Sequence, residues 1–237
     1  MSGVGFSYPD GTAALFDIDL TVDHGERVAV LGGNGAGKTT LLLLLNGIHL
    51  ASQGSVHVAG VRVAANTLHA VRSRVGVVFQ DPDDQLFMPT VRQDVAFGPQ
   101  NQGYTGLGLE SRVDAAMAAM GITGLAGRAP DHLGLGEKRR VALAGVLAME
   151  PNLLVLDDPT GGLDPPGRKR LIDLQNTLGA TQVVATPDLD YAAATCHRAV
   201  VLHRGRLVAD GPSAEILADP IIFTGEGPNT APGGIAD

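Results

Sequence analysis

The sequence predicts an α/β fold with a mostly parallel central sheet flanked by helices. Two observations carry this: short β-branched runs alternate with longer helix-forming stretches, and one run leads straight into a glycine-rich segment that opens a helix. The runs lie at residues 27–31, 74–79, 153–157, 182–186 and 198–202. Each is mostly apolar rather than alternating, the pattern of strands buried on both faces of a parallel sheet. Between Phe6 and about Gly60 the pieces are shorter and broken by Asp10-Gly11, Gly25 and Gly54, which predicts a small antiparallel β layer. From about residue 81 to 134 no sheet-like run occurs. Residues 110–120 are rich in Ala and Met with a charged face, so a helical subdomain is expected there. The folded domain is expected over residues 1–218; from 219 onward Gly, Pro, Asn and Thr predict a flexible tail. There is no internal repeat.

Composition bounds what such a fold does. At 237 residues, 44% hydrophobic and 18% charged, the chain can bury a core and is neither disordered nor fibrous. The 17 basic against 25 acidic residues argue against a nucleic-acid partner held by bulk charge. Lys138-Arg139-Arg140 and Arg168-Lys169-Arg170 accordingly read as solvated helix faces. The single cysteine, Cys196, cannot close an internal disulfide and fits a reducing compartment. His197 and His203 lie near it without the spacing of a tetrahedral metal site. The longest tight apolar run, residues 41–45, is far short of the ~20 needed to cross a bilayer. With no signal-like start either, a cytoplasmic chain is expected, brought to any membrane by another protein.

The glycine-rich segment carries the chemistry. Gly32-Gly33-Asn34-Gly35-Ala36-Gly37-Lys38-Thr39 fits G-x-x-x-x-G-K-[ST], after a strand and before a helix. The glycines let successive N–H groups curl toward phosphate oxygens, and the helix N-terminus adds positive potential. Lys38 then reaches the terminal phosphates, Thr39 suits Mg²⁺, and Thr40 follows at the helix start. Nucleoside triphosphate binding is the reading. Residues 153–157 form an apolar run ending in Asp157, placed to hold Mg²⁺ beside that loop. Alone, a strand ending in Asp is often only a turn; beside the phosphate loop it gains meaning.

Further segments stand in a recognisable order: Phe6-Ser7-Tyr8-Pro9-Asp10-Gly11, the phosphate loop, Gln80-Asp81-Pro82-Asp83-Asp84-Gln85-Leu86-Phe87, Leu133-Gly134-Leu135-Gly136-Glu137 with Lys138 to Ala144, and Asp157-Asp158-Pro159-Thr160-Gly161-Gly162-Leu163-Asp164-Pro165. Together, over about residues 4–218, they resemble the ATP-binding subunit of an ABC transporter, closest to the energy-coupling-factor ATPases of cobalt, nickel and vitamin uptake. The resemblance implies a P-loop NTPase fold, the ABC-type nucleotide-binding domain, with ATP and Mg²⁺ as cofactors. It implies that Tyr8 stacks on adenine and that Gln80 joins Mg²⁺ to the membrane-facing subdomain. Residues 82–87 would grip the coupling helix of a transmembrane partner, and Gly162-Leu163-Asp164 would cross a dimer seam. In the family two domains pair head to tail, each ATP lying between one phosphate loop and the other chain's signature segment. Here that segment contributes Gly134, Gly136 and Glu137. The implied partners are a second ABC ATPase subunit, the same or a different chain, a transmembrane coupling protein and a substrate-binding membrane component. The implied location is the inner face of the cell membrane, held there through those partners.

The sequence departs from the family pattern at four places. The family usually has a further strand before the Phe-Ser-Tyr-Pro segment, and this sequence begins without one. Gly134 replaces the signature serine, removing a hydroxyl that caps the helix and reaches the partner's phosphate. Asp158 replaces a glutamate that orients the attacking water and is one methylene shorter. Pro187, in Thr186-Pro187-Asp188, replaces the switch histidine and offers no side-chain donor. Two function classes follow: an ATP-driven energising subunit of an importer with weakened hydrolysis, or a nucleotide-binding regulatory or structural subunit with negligible turnover. A soluble ABC ATPase of repair or cluster assembly is disfavoured by residues 82–87. The transported substance is not encoded here.

Overall fold

The computed structural model describes residues 1–219. The flexible tail expected beyond residue 219 lies outside the described residues. The chain starts in the antiparallel layer: β1 (Ser2–Ser7) pairs with β2 (Ala13–Ile18) on one side and with β4 (Gln53–Ser55) on the other. Strand β1 begins four residues ahead of Phe6 and runs through Phe6-Ser7 up to Tyr8, so that segment is itself the end of a strand. Six residues suffice because Val4 and Phe6 bury their side chains in the core beneath. Between β2 and β4 come β3 (Arg27–Leu31) and α1 (Lys38–Leu45), joined by the glycine-rich loop. A two-stranded ribbon, β5 (His57–Val58) with β6 (Val61–Arg62), leads through α2 (Leu68–Arg72) into β7 (Val75–Val78).

Helices then replace strands: α3 (Val91–Asn101), α4 (Gly106–Ala119) and α5 (Leu135–Leu147), with short 3₁₀ turns at Pro82–Asp84, Thr123–Leu125 and Pro130–His132. The helix expected at 110–120 starts four residues earlier, and α3 was not foreseen. Strand and helix alternate again in β8 (Leu153–Asp157), α6 (Pro165–Thr177), β9 (Thr181–Ala185), α7 (Leu189–Thr195), β10 (Arg198–His203), β11 (Arg206–Pro212) and α8 (Ser213–Ala218). The six-stranded sheet has the order β11-β10-β3-β9-β8-β7, parallel throughout except for β11 at one edge.

This order positions the site. In β3, Val28 and Val30 face the antiparallel layer and α1, while Ala29 and Leu31 face the helical side, so the strand is buried on both faces. Strands β3, β9 and β8 are neighbours in register, Val30 beside Ala185 and Ala185 beside Asp157. Their carboxyl ends deliver the glycine-rich loop, Asp157-Asp158 and Thr186-Pro187 to one crevice, where open α/β sheets bind ligands.

A buried polar lock fixes β9 to its covering helices. Gln175 of α6 donates Nε2 to Gln182 Oε1 at 3.0 Å, and Gln182 Nε2 returns a bond to the Gln175 carbonyl at 3.1 Å. Tyr191 of α7, fully buried, donates its hydroxyl to Gln175 Oε1. Removing one member strands the others away from water, at a cost of about 1–3 kcal/mol per unsatisfied group. Gln182→Leu is therefore expected to lower the urea midpoint of unfolding with an unchanged slope. An unaltered midpoint would show that the lock contributes nothing.

Candidate functional site

The glycine-rich loop owes its shape to missing side chains. Gly32 has φ +143°, and a Cβ there would stand 2.2 Å from the Leu202 carbonyl oxygen. Gly37, the N-cap of α1 at φ +104°, would drive a Cβ to 2.8 Å from Leu15 of the antiparallel layer. Only glycine lets the chain pass this close to β10 and β2. No side chain caps α1, which leaves its first amides directed at the crevice as anion donors.

Lys38 folds back over the loop, its Nζ donating to the carbonyls of Gly32 at 2.8 Å and Gly33 at 2.9 Å. Burial lowers its pKa, while the nearby charges of Asp157 and Asp158 pull it back upward. Thr39 Oγ1 donates to Asp157 Oδ2 at 2.7 Å, joining helix and strand end across the floor of the site. Burial raises the Asp157 pKa; the Thr39 bond opposes that shift, Asp158 adds to it and Lys38 reduces it. A hydroxyl and a carboxylate in contact, with the Gln80 amide on the same wall, form an oxygen donor set suited to Mg²⁺.

Most residues expected at the site line one cleft of about 670 Å³: Tyr8, Asn34 to Thr40, Gln80, Asp157, Asp158 and Pro187. Gly32 underlies the loop. The Tyr8 hydroxyl lies 2.8 Å from Thr40 Oγ1, and its ring stands edge-on to Phe6 and His49. Phe16, Arg204 and Gly205 share the cleft, although sequence reasoning passed over them. Phe16 is exposed in β2, between buried Leu15 and exposed Asp17, and the Arg206 guanidinium sits 5.3 Å from its ring centre. An exposed aromatic beside a phosphate loop was the available signal.

Beside Asp157, Asp158 adopts the left-handed conformation, φ +43°. Its N–H donates to the Ala185 carbonyl at 2.8 Å, and its own carbonyl accepts from Gly161 N at 3.2 Å. Pro187 lies between two anchored neighbours. Asp188 donates its N–H to Thr186 Oγ1 at 3.0 Å, caps α7 through Tyr191 N at 2.9 Å, and holds Arg168 by two bonds of 2.8 Å. The Arg168 bond is the main cause holding the Asp188 pKa below its ordinary value.

Gly134, Gly136 and Glu137 do not reach this cleft; they form the start of α5. Gly134 is an extended N-cap with no side chain to offer. Only the return half of a capping box exists, Glu137 Oε2 accepting from Gly134 N at 3.1 Å. A Cβ at Gly134 would meet nothing nearer than Glu137 Oε2 at 4.0 Å.

The basic runs need a correction. Lys138 is partly buried and pairs with Asp83, while Lys169 is exposed and pairs with Asp173. Arg139 is buried, with 7% of its surface exposed, because α5 turns that face toward the loop after β8. Arg168 is tied to Asp188 rather than freely solvated. Among the described residues no group of three or more His, Cys, Asp or Glu side chains is arranged to hold a metal, and no helix is long and apolar enough to cross a membrane.

The family model for ABC transporters matches residues 15–161. The chain is 53% identical over 223 residues to a putative ABC transporter ATP-binding protein of Streptomyces avermitilis, covering 94% of this chain and 85% of that protein. It is 48% identical over 219 residues to the energy-coupling factor transporter ATP-binding protein EcfA of Methanothermobacter thermautotrophicus, covering 90% and 70%. The solved structure of cbiO1 from Clostridium perfringens, part of the ABC transporter complex cbiONQ, matches with a TM-score of 0.81 at 40% identity, over 92% of this chain and 89% of that one. Shared sequence along nearly the whole length and a shared fold around the same loop give one conclusion: the chain belongs to the ATP-binding subunits of the ABC transporter family.

Proposed function

We propose that this chain is the energy-coupling subunit of a membrane importer of the energy-coupling-factor type, binding MgATP and hydrolysing it slowly. One observation carries the reading: an uncapped helix N-terminus, Lys38 and the Thr39–Asp157 pair converge on a single cleft. The names of the EcfA and cbiO1 relatives support the importer assignment. A second ATPase subunit would complete the site with its own signature helix. A transmembrane coupling protein would take the surface at residues 82–87, and a membrane component would select the cargo, with cobalt, nickel or a vitamin as the family-level candidates.

The phosphates are held by the loop amides and the start of α1, and Lys38 turns from the loop carbonyls onto the terminal phosphate. Tyr8 and Phe16 line the same cleft and would meet the base. Thr39, Asp157 and Gln80 would hold Mg²⁺, which neutralises charge on the transferring phosphoryl group when bound. The weak point is water activation. Asp158 presents a carboxylate one methylene short of glutamate, and a misplacement of about 1 Å costs about 10²-fold in rate. Pro187 supplies no hydrogen bond to the phosphate or the water. Both weaken the site on this chain's own loop, whereas Gly134 weakens the one on the partner's loop. An intact partner therefore restores neither site fully. The same three residues favour, as a second reading, a subunit that closes on ATP with negligible turnover.

Lys38→Ala is expected to weaken binding of a fluorescent ATP analogue with Mg²⁺ by about 100-fold, some 2.7 kcal/mol; unchanged saturable binding would sink the ATP reading. Asp158→Glu combined with Pro187→His is expected to raise steady-state phosphate release about tenfold or more. Equal rates would show that hydrolysis is not limited at these residues. Gly134→Ser fits without collision and adds an N-cap worth about a few tenths of a kcal/mol. It should raise the melting temperature slightly and strengthen ATP-dependent dimerisation in sedimentation. A serine variant that dimerises no better than the parent would remove Gly134 from the partner-facing site.

A further inference from the structure

Arg139 has no part in the scheme above, yet it is the least solvated guanidinium in the described structure. It sits in the second turn of α5 with 7% of its surface exposed, and its Nε has no hydrogen-bond partner. A buried guanidinium is costly unless its position serves something. Its one bond runs from Nη1 to the backbone carbonyl of Asp158, at 2.8 Å. That carbonyl belongs to the residue held at φ +43°, a conformation that costs a non-glycine residue about 1 kcal/mol and is maintained by surrounding contacts.

Gly161 shows how closely the two groups face each other. A Cβ there would stand 2.7 Å from Asp158 Oδ2 and 3.0 Å from Arg139 Nη2. The carboxylate and the guanidinium thus lie on either side of a gap that only glycine leaves open. Just ahead of Arg139, α5 begins with Gly134, which is exposed and does not line the nucleotide cleft. Arg139 lies five positions after Gly134, the N-cap of α5, about 7.5 Å along the helix axis. One short lever joins the partner-facing end of α5 to the backbone of the water-orienting residue.

We propose that Arg139 is a positioning residue for Asp158, and that through it α5 couples the two composite ATP sites: seating of the partner's phosphate at Gly134 moves α5 and sets the Asp158 carboxylate in this chain's own site. The coupling rests on the paired-ATPase reading; the positioning of Asp158 by Arg139 stands on this chain's contacts alone.

Hydrogen exchange on the full chain tests both parts, because the Gly161 amide donates to the Asp158 carbonyl that Arg139 also holds, and the Asp158 amide ties the segment to Ala185 of β9. Without nucleotide, Arg139→Gln and Gly161→Ala are each expected to speed exchange at residues 158–161 about tenfold, the loss of one charge-assisted hydrogen bond. Arg139→Lys, which keeps a donor and a charge, is expected to recover most of the protection. Exchange at 158–161 equal to the parent in both Gln and Ala variants overturns the positioning claim. With Mg²⁺ and the β,γ-imido analogue of ATP, the parent is expected to gain protection at 32–39, 134–138 and 158–161 together. Arg139→Gln should keep the first two and lose the third. A third response that survives in Arg139→Gln overturns the coupling. No protection at 32–39 in the parent overturns the ATP reading and the coupling with it, while the nucleotide-free arm still decides the role of Arg139. In phosphate release, Arg139→Gln should lower kcat about tenfold with KM for ATP unchanged. Should Arg139→Gln fail to fold, Gly161→Ala carries the same comparison from outside the buried helix face.

Discussion

The hydrogen bond from Thr39 to Asp157 joins the first turn of α1 to the tip of β8, and the candidate site is arranged around it. It forms because β3 and β8 flank β9 in a parallel sheet whose strands end at the same level. Slip one strand by a residue and the carboxylate would point into the opposite face of the sheet. Asp157 of β8 pairs with Ala185 of β9, and Ala185 with Val30 of β3, so this register sets the accuracy of the polar site.

Charge in the cleft is balanced locally. Burial pushes the Asp157 carboxyl toward its neutral form and Lys38 toward its own, and each partly offsets the other. Arg139, buried behind the loop, is likewise opposed by the charges of Asp158 and Asp81. A triphosphate with its metal would enter an environment already holding both signs at close range. Lys38 meanwhile rests on the carbonyls of the loop it would leave, so binding exchanges two neutral acceptors for a charged one.

Much of this was legible in the chain. The five apolar runs became strands of the central sheet with ends shifted by a residue or less, because their burial on both faces leaves no polar alternation to confuse. The glycine-rich loop announced itself through residue types that only its geometry demands. Helix α3 was not legible: Val91–Asn101 contains Gly98 and Pro99, and local propensity argues against it. Packing decides instead, through buried Val91 and Val95 and a Gly98 that lets Met149 approach where a Cβ would lie 2.6 Å away. Arg139 was misread for the converse reason. Within a run of three basic residues nothing local distinguishes the one that α5 turns inward, since that depends on a loop some twenty residues downstream.

The two margins of the large sheet bear on how copies can meet. One margin is β7, only four residues long, and the other is β11, which ends in Gly211-Pro212. The short margin at β7 and the proline that ends β11 discourage a neighbouring chain from adding its own strand. Self-association by sheet extension is thus unfavourable, as is the runaway aggregation that such extension invites. A second molecule is left to approach through loops and helix tips, among them the glycine-rich loop and the start of α5.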